Sequence, residues 1–329
     1  MKKIIIYIAV ICMVISCKTK NVAEEGDNIV VPEFSADSAY QSIETQCAFG
    51  PRILASEAHN QCGEYIINSF KQYGCEVQKQ EATFTLYDGT QQEGYNIIAR
   101  TKPNLSKRIL ICTHWDSRPW ADNDADESNW HTPVLAANDG ASGVGVMIEI
   151  ARILQDADTI GVGIDFICFD AEDVGVPDWD EDNYDGDTEL TWCLGSQYWA
   201  SNPHDRNFMF GILLDMVGSQ GAIFHKEGYS VRYASWVVDK VWEAANKAGY
   251  QSQFSNSSGG YITDDHLPLN QIARIPTIDI IPYYTSGMSG FCPTWHTLND
   301  TPQNIDKQTL KAVGQTLLQL IYEIKTSEN

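Results

Sequence analysis

The 329-residue sequence predicts an α/β fold, a three-layer sandwich in which helices flank a central mixed, mostly parallel β-sheet. Three observations carry this expectation. Strand-type runs alternate with segments of helical periodicity. Several strand runs are apolar on both faces, as in the middle of a sheet covered from both sides. Apolar runs also end in, or lead on to, His or Asp, which puts polar groups beyond the carboxyl ends of strands, where open sheets gather their ligands.

In chain order, a helical segment at Glu64 to Tyr73 precedes strands at Ala82 to Tyr87, Tyr95 to Arg100 and Arg108 to Thr113. A second helix at Ser142 to Leu154 leads to a strand at Gly163 to Phe169, and a third strand-helix pair follows at Phe208 to Asp215 and Ser230 to Ala248. A strand at Thr277 to Ile281 and a helix at Thr309 to Ile324 complete the alternation. The most informative segment is Phe166-Ile167-Cys168-Phe169-Asp170-Ala171-Glu172-Asp173, where an apolar strand delivers two adjacent carboxylates. Ile109 to His114-Trp115-Asp116, Gly211 to Asp215, and Ile278 to Ile281 leading on to Trp295-His296 repeat the pattern, so several strands are expected to feed one rim.

The N-terminus reads Met1-Lys2-Lys3, an apolar stretch from Ile4 to Ile15, then Ser16-Cys17, the order of a bacterial lipoprotein signal. Residues 1–17 are therefore expected to be the signal, with Cys17 lipidated, 18–33 a tether and 34–329 one catalytic-size domain. On this reading the domain sits in a bacterial cell envelope, periplasmic or surface-facing, and meets the membrane only through the lipid on Cys17. At 43% hydrophobic and 11% aromatic it can bury a large core without disulfides. Seven cysteines follow the signal, so at least one is unpaired. A net charge of −22 excludes the clustered basic surface that nucleic acid requires and suits a cationic ligand such as a peptide amino terminus.

A long acidic insertion, residues 174–192, follows Glu172-Asp173 directly and is expected to overhang the site. Within it Asp178, Asp180, Asp182 and Glu189 fall at calcium-loop offsets, although Asn183 stands where Gly is expected, so the segment reads as either a calcium loop over 178–189 or a solvated acidic lid.

His114, Asp139, Asp173, Asp215 and His296 are of the types that hold zinc with one position left open for water or substrate. Each also has a plainer reading. Asp139 in Asn138-Asp139-Gly140-Ala141-Ser142-Gly143 could be a turn residue before a helix capped by Ser142, His114 a core histidine, and His296 a loop residue.

Their conjunction carries more weight. His114-x-Asp116, Asn138-Asp139-Gly-Ala-Ser-Gly, Asp170-Ala-Glu172-Asp173, Leu194-Gly195-Ser196, Leu214-Asp215, Asp264-Asp265-His266 and Trp295-His296-Thr297-Leu298-Asn299-Asp300-Thr301 occur in an order that resembles the M28 zinc peptidase family over about residues 40 to 325. Within it the chain is most similar to the bacterial glutaminyl-peptide cyclotransferase branch, on the Trp295-His296 pair, on Phe291 shortly before it, and on the Trp-containing insertion after Ala-Glu-Asp. The resemblance implies the zinc aminopeptidase-like version of the fold, and a monomer that turns the N-terminal glutamine of peptides or proteins into pyroglutamate. It implies one zinc on Asp139, Asp173 and His296, Glu172 as general acid and base, and Asp215 and Asp265 completing the proton network. It also implies substrate contacts from Trp295, Phe291 and His114, with Trp179 or Trp192 adding an aromatic face. Two rivals stand beside it. A di-zinc aminopeptidase would share Asp139 between metals, and a non-catalytic lipoprotein would keep the fold only to bind peptides.

Overall fold

A six-stranded sheet in the order β1-β2-β4-β3-β5-β8 forms the middle layer of this computed structural model, which describes residues 30–157, 160–285 and 290–324. Its strands are β1 (Glu76–Thr85), β2 (Gln91–Arg100), β3 (Arg108–His114), β4 (Gly163–Phe169), β5 (Gly211–Leu214) and β8 (Thr277–Ile280). β6 (Phe224–Lys226) and β7 (Phe254–Ser258), which the sequence reading missed, pair in a small separate sheet. β1 and β2 run antiparallel to their neighbours, whereas β4, β3, β5 and β8 are mutually parallel. The expected mixed, mostly parallel sheet is therefore present. The signal with Cys17 and most of the tether lie outside the described residues, and those from Val31 onward form one compact unit.

Alternate strand residues face opposite layers, as the two-residue period requires. On one face Ile109, Ile111, Ile164, Phe166 and Ile212 share a core with α1 (Ala36–Ala48), α2 (Glu57–Gln72), α3 (Ala141–Leu154), α5 (Gly228–Lys247) and α7 (Lys307–Glu323). On the other, Leu110, Cys112, Ile167, Phe169 and Leu213 meet Trp199 of α4 (Leu194–Ser201) and Leu269 and Ala273, which follow the short turn α6 (His266–Pro268). Both faces being covered explains why β3 and β4 are buried at every position.

Helix starts are chemically specified. Ser35, Ser56 and Asp306 cap α1, α2 and α7 with their own side chains. α3 is different: the expected cap, Ser142, sits inside the first turn, and Gly140 holds the cap position at φ +93°. A Cβ there would meet the Asp116 carbonyl oxygen at 2.9 Å, so glycine is required both for conformation and for space. Ser142 instead donates to the Asn138 carbonyl (2.5 Å) and accepts from the Val217 amide (3.1 Å), tying the β5 exit to the loop that carries Asp139.

Glu227 caps α5. Its carboxylate accepts from the amides of Tyr229 (2.8 Å) and Ser230 (2.6 Å), the Ser230 hydroxyl (2.7 Å) and the Ile262 amide (3.2 Å), and lies 3.2 Å from His266 Nε2. Burial alone would raise its pKa, but His266 and Ser230 outweigh that and bring it down to about 2. Glu227→Gln is expected to lose about 2 kcal/mol at pH 7, since a neutral amide has less acceptor strength for these donors. The stabilisation exists above the unfolded carboxyl value and fades as pH falls towards 2. Urea unfolding should therefore show the gap between the two proteins narrowing by pH 3.

Candidate active site and metal centre

The parallel strands β3, β4 and β5 carry His114, Asp170 to Asp173, and Asp215 to a common rim. Three carboxylates behind that rim set the backbone of the acidic residues. Asp116 accepts from the amides of Glu172 (3.2 Å) and Asp173 (3.1 Å). Asp300 accepts from the amides of Asn138 (2.8 Å) and Asp139 (3.0 Å). Asp170 is bound by His59 Nε2 (2.9 Å) and the Tyr95 amide (2.8 Å) and ends the strand rather than entering the site. Four positions around the rim are conformationally tense: Ala171 and Met216 just after β4 and β5, Cys193 just before α4, and His296 all have φ between 49° and 57°.

Asp139, Asp173 and His296 come together, with one ligand-type atom from each within 4.8 Å of the others. His296 Nε2 lies 3.0 Å from Asp173 Oδ1 and 3.6 Å from Asp139 Oδ2. Both Asp173 oxygens are buried without a hydrogen-bond donor, an arrangement that favours a cation between them and the imidazole. Two carboxylates and one ring nitrogen are a suitable zinc set. Burial opposes charge on His296, yet Asp173 and Asp122 outweigh it and lift its pKa to about 9. His114, Asp139 and Asp215 form a second such group sharing Asp139.

His114, expected on the substrate wall, does not line the cavity in this structure. It is 2% exposed and sits behind the cavity, with Nε2 2.9 Å from Asp139 Oδ1 and 3.3 Å from Asp215 Oδ1. The cavity, about 420 Å³, is lined at its base by Asp139, Glu172, Asp173, Asp215 and His296. Trp295 and Phe291 form a wall, ring centroids 4.5 Å apart, and Trp295 stacks on His296 at 3.9 Å. Trp192 supplies the aromatic face from the insertion, parallel to His296 at 6.0 Å. Trp179 does not line the cavity. It packs against Trp130, His131 and Trp120. The overhang of the insertion is present through Thr188, Glu189 and Trp192. Among the described residues, however, the four calcium-loop acids contribute to no group of close metal-type ligands.

Asp264, not Asp265, faces the cavity; Asp265 is 1% exposed and lies behind it. Glu172, Cys193 and Asp264 cluster within 4.8 Å, and the Cys193 thiol donates to Glu172 Oε1 (3.3 Å). Burial raises Glu172 well above the carboxylate range, the charges of Asp173, Asp264 and Asp265 adding to it and His114 opposing. Burial and Asp215 bring Asp264 up to about 7, and burial brings Asp215 up to about 6. A cation held by Asp139, Asp173 and His296 would pull these values down.

The sequence reading passed over Arg118 and Asp122. Arg118 is fully buried and donates to the carbonyls of Asp173 (3.1 Å), Gly175 (2.9 Å) and Val176 (3.2 Å) and to both Asp122 oxygens, while its guanidinium covers Trp192 at 4.4 Å. Asp122 Oδ1 faces His296 Nδ1 at 3.4 Å, leaving Nε2 for the cavity. The i,i+4 pairing of an Arg and an Asp was the available signal, but surface pairs give the same spacing. Asp122→Asn is expected to weaken zinc binding by about 10- to 100-fold, read by titrating metal-stripped protein against a competing chelator.

Comparison with known proteins agrees with this geometry. Residues 96–321 match the model of peptidase family M28. The crystal structure of Bacteroides thetaiotaomicron glutaminyl cyclase bound to N-acetylhistamine superimposes with TM-score 0.85 at 52% identity, covering 89% of this chain and 99% of that one. A structure described as a leucine aminopeptidase precursor from Bacteroides thetaiotaomicron gives TM-score 0.84, also at 52% identity, over 90% and 99% of the two chains. Aminopeptidase YwaD of Bacillus subtilis is 28% identical over 77% of this chain, and the match spans about half (49%) of its length.

Proposed function

Because this chain belongs to peptidase family M28, we propose that it is a zinc-dependent glutaminyl-peptide cyclotransferase, converting an N-terminal glutamine to pyroglutamate with release of ammonia. The observation that carries the reading is the aromatic enclosure of the acid-base residue: Glu172 keeps 13% of its side chain exposed, at the base of a cavity walled by Trp295, Phe291 and Trp192. The 52% identity to a glutaminyl cyclase across nearly its whole length supports it.

Asp139, Asp173 and His296 would hold one zinc, which when bound supplies Lewis-acid polarisation of the glutamine γ-carbonyl. The aromatic walls fold the substrate so that its α-amine faces that carbonyl carbon, turning attack into a ring closure within one residue. As the new C–N bond forms, Glu172 takes the proton the amine loses. Its Oε1 accepts from the Cys193 thiol, and its Oε2 lies 3.9 Å from His114 Nδ1. Glu172 then gives the proton to the departing amide nitrogen, the old C–N bond breaks, and ammonia leaves. Burial, with the charges of Asp173, Asp264 and Asp265, keeps its proton affinity high enough for this exchange. The walls exclude water, whose attack would give glutamate instead.

One observation favours a second reading. The group His114, Asp139 and Asp215 shares Asp139 with the first, the layout of a two-metal aminopeptidase, and one relative at 52% identity is described as one. Incubation with a Gln-initiated peptide separates them. Ammonia and an N-terminally blocked peptide support cyclisation; free glutamine and a shortened peptide overturn it. Metal analysis of the same sample should return one zinc per chain. The reading extends to a monomer and to a place in a bacterial envelope anchored through Cys17, the latter resting on the order of the N-terminal residues.

A further inference from the structure

We propose that the mouth of the cavity selects the residue that follows the N-terminal glutamine, favouring a basic side chain, with Glu189 as the selecting carboxylate and Tyr261 as its platform. This rests on the cyclotransferase reading and names the substrate class within it. The cavity, at about 420 Å³, belongs to the size range of sites that enclose more than one side chain. With glutamine at the base, the next residue falls among the outer lining residues, Thr188, Glu189, Gly260, Tyr261 and Tyr283.

Three features of that mouth point one way. First, besides the zinc-holding Asp139 and Asp173, four carboxylates and no Lys or Arg line the cavity, in a chain of net charge −22, so the local field favours a cation and opposes an anion. Second, the Glu189 carboxylate is exposed and, among the described residues, engages no hydrogen-bond donor or cation. An exposed Glu is ordinarily just solvated, but this one stands on a braced turn. Asp187 accepts from the Glu189 amide (3.2 Å), the Thr191 hydroxyl donates to the Thr188 carbonyl (2.6 Å), and the same hydroxyl accepts from the Val176 amide (3.2 Å). Arg118, which fixes the start of the insertion, is buried and committed to Asp122 and to backbone carbonyls. Third, Tyr261 is 69% exposed, yet its ring is held edge-on by Tyr229 at 5.0 Å. A braced aromatic ring and a free carboxylate lining the same cavity make a receptor for ammonium or guanidinium, by cation–π attraction and charge pairing.

The test compares ammonia release from peptides beginning Gln-Lys, Gln-Ala and Gln-Glu, using the zinc-loaded full-length protein at low salt. The expected kcat/KM order is Lys above Ala above Glu, with about a tenfold span, shrinking in ~0.5 M salt. Glu189→Lys should reverse the order, and Tyr261→Ala should lower kcat/KM through KM several-fold more for Gln-Lys than for Gln-Ala. Equal rates for the three peptides, or the same order in Glu189→Lys, overturn the selection while leaving cyclisation intact. No ammonia from any of them overturns cyclisation itself, and this inference with it.

Discussion

Glu172→Gln is expected to reduce ammonia release by about 10³- to 10⁴-fold while leaving zinc content and thermal unfolding near their starting values. The substitution is nearly isosteric, and a Gln Oε1 can still accept from the Cys193 thiol. The backbone at this position is held by the Asp116 carboxylate through the amides of residues 172 and 173, which the change does not touch. What disappears is the capacity to hold a proton between two nitrogens. The decisive comparison is turnover against metal stoichiometry on one preparation. Loss of zinc in parallel with activity would mean that residue 172 is a ligand, and a loss of less than about tenfold would mean that another base carries the proton.

His296→Ala should behave differently, losing both activity and zinc. It removes the only nitrogen ligand of the Asp139-Asp173-His296 group and leaves the buried Asp173 carboxylate without its imidazole partner. It also opens a gap beside Trp295, which stacks on the ring at 3.9 Å, and beneath Trp192. A stability loss of roughly 1–3 kcal/mol is therefore expected alongside the metal loss. Wild-type protein stripped by a chelator should regain activity with added zinc, whereas the variant should not. A variant that kept full zinc occupancy would move the metal to the His114-Asp139-Asp215 group and bring the aminopeptidase reading forward.

Much of this layout was legible in the residues because strand chemistry is repetitive. β3 is apolar from Ile109 to Cys112 and β4 at every position but Asp165; β4 ends at Phe169 as expected and β3 one residue beyond the expected Thr113, since a buried parallel strand has no solvent face to blur its pattern. α1 escaped notice because its buried face is built from Ala39, Ser42, Ile43, Gln46 and Cys47, mostly small or polar types that carry little period. α2 begins at Glu57 rather than Glu64 because its first turns bury His59, Cys62 and Gly63 for the same reason. α4 is eight residues long with a glycine inside, too brief for periodicity to register.

The metal-type residues were found by order along the chain, but their orientation was not. Asp264 and Asp265 are adjacent, so composition cannot say which one turns to the cavity; the backbone entering α6 decides, and it turns Asp264 inward. Trp179 and Trp192 posed the same problem across a long insertion. Arg118 settles it, fixing the start of the insertion by three carbonyls and covering the Trp192 ring. A buried arginine with two carboxylate contacts and three carbonyl contacts is a tertiary fact that local sequence does not announce.

All seven cysteines among the described residues are free and buried, and burial raises Cys47 to about 11 and Cys62 and Cys75 to about 12. The architecture therefore carries its own chronometer of breathing motions. Thiol-directed reagents can reach these sulfurs only when a core layer separates, so the pace of their modification reports how often each layer parts, without any engineered label.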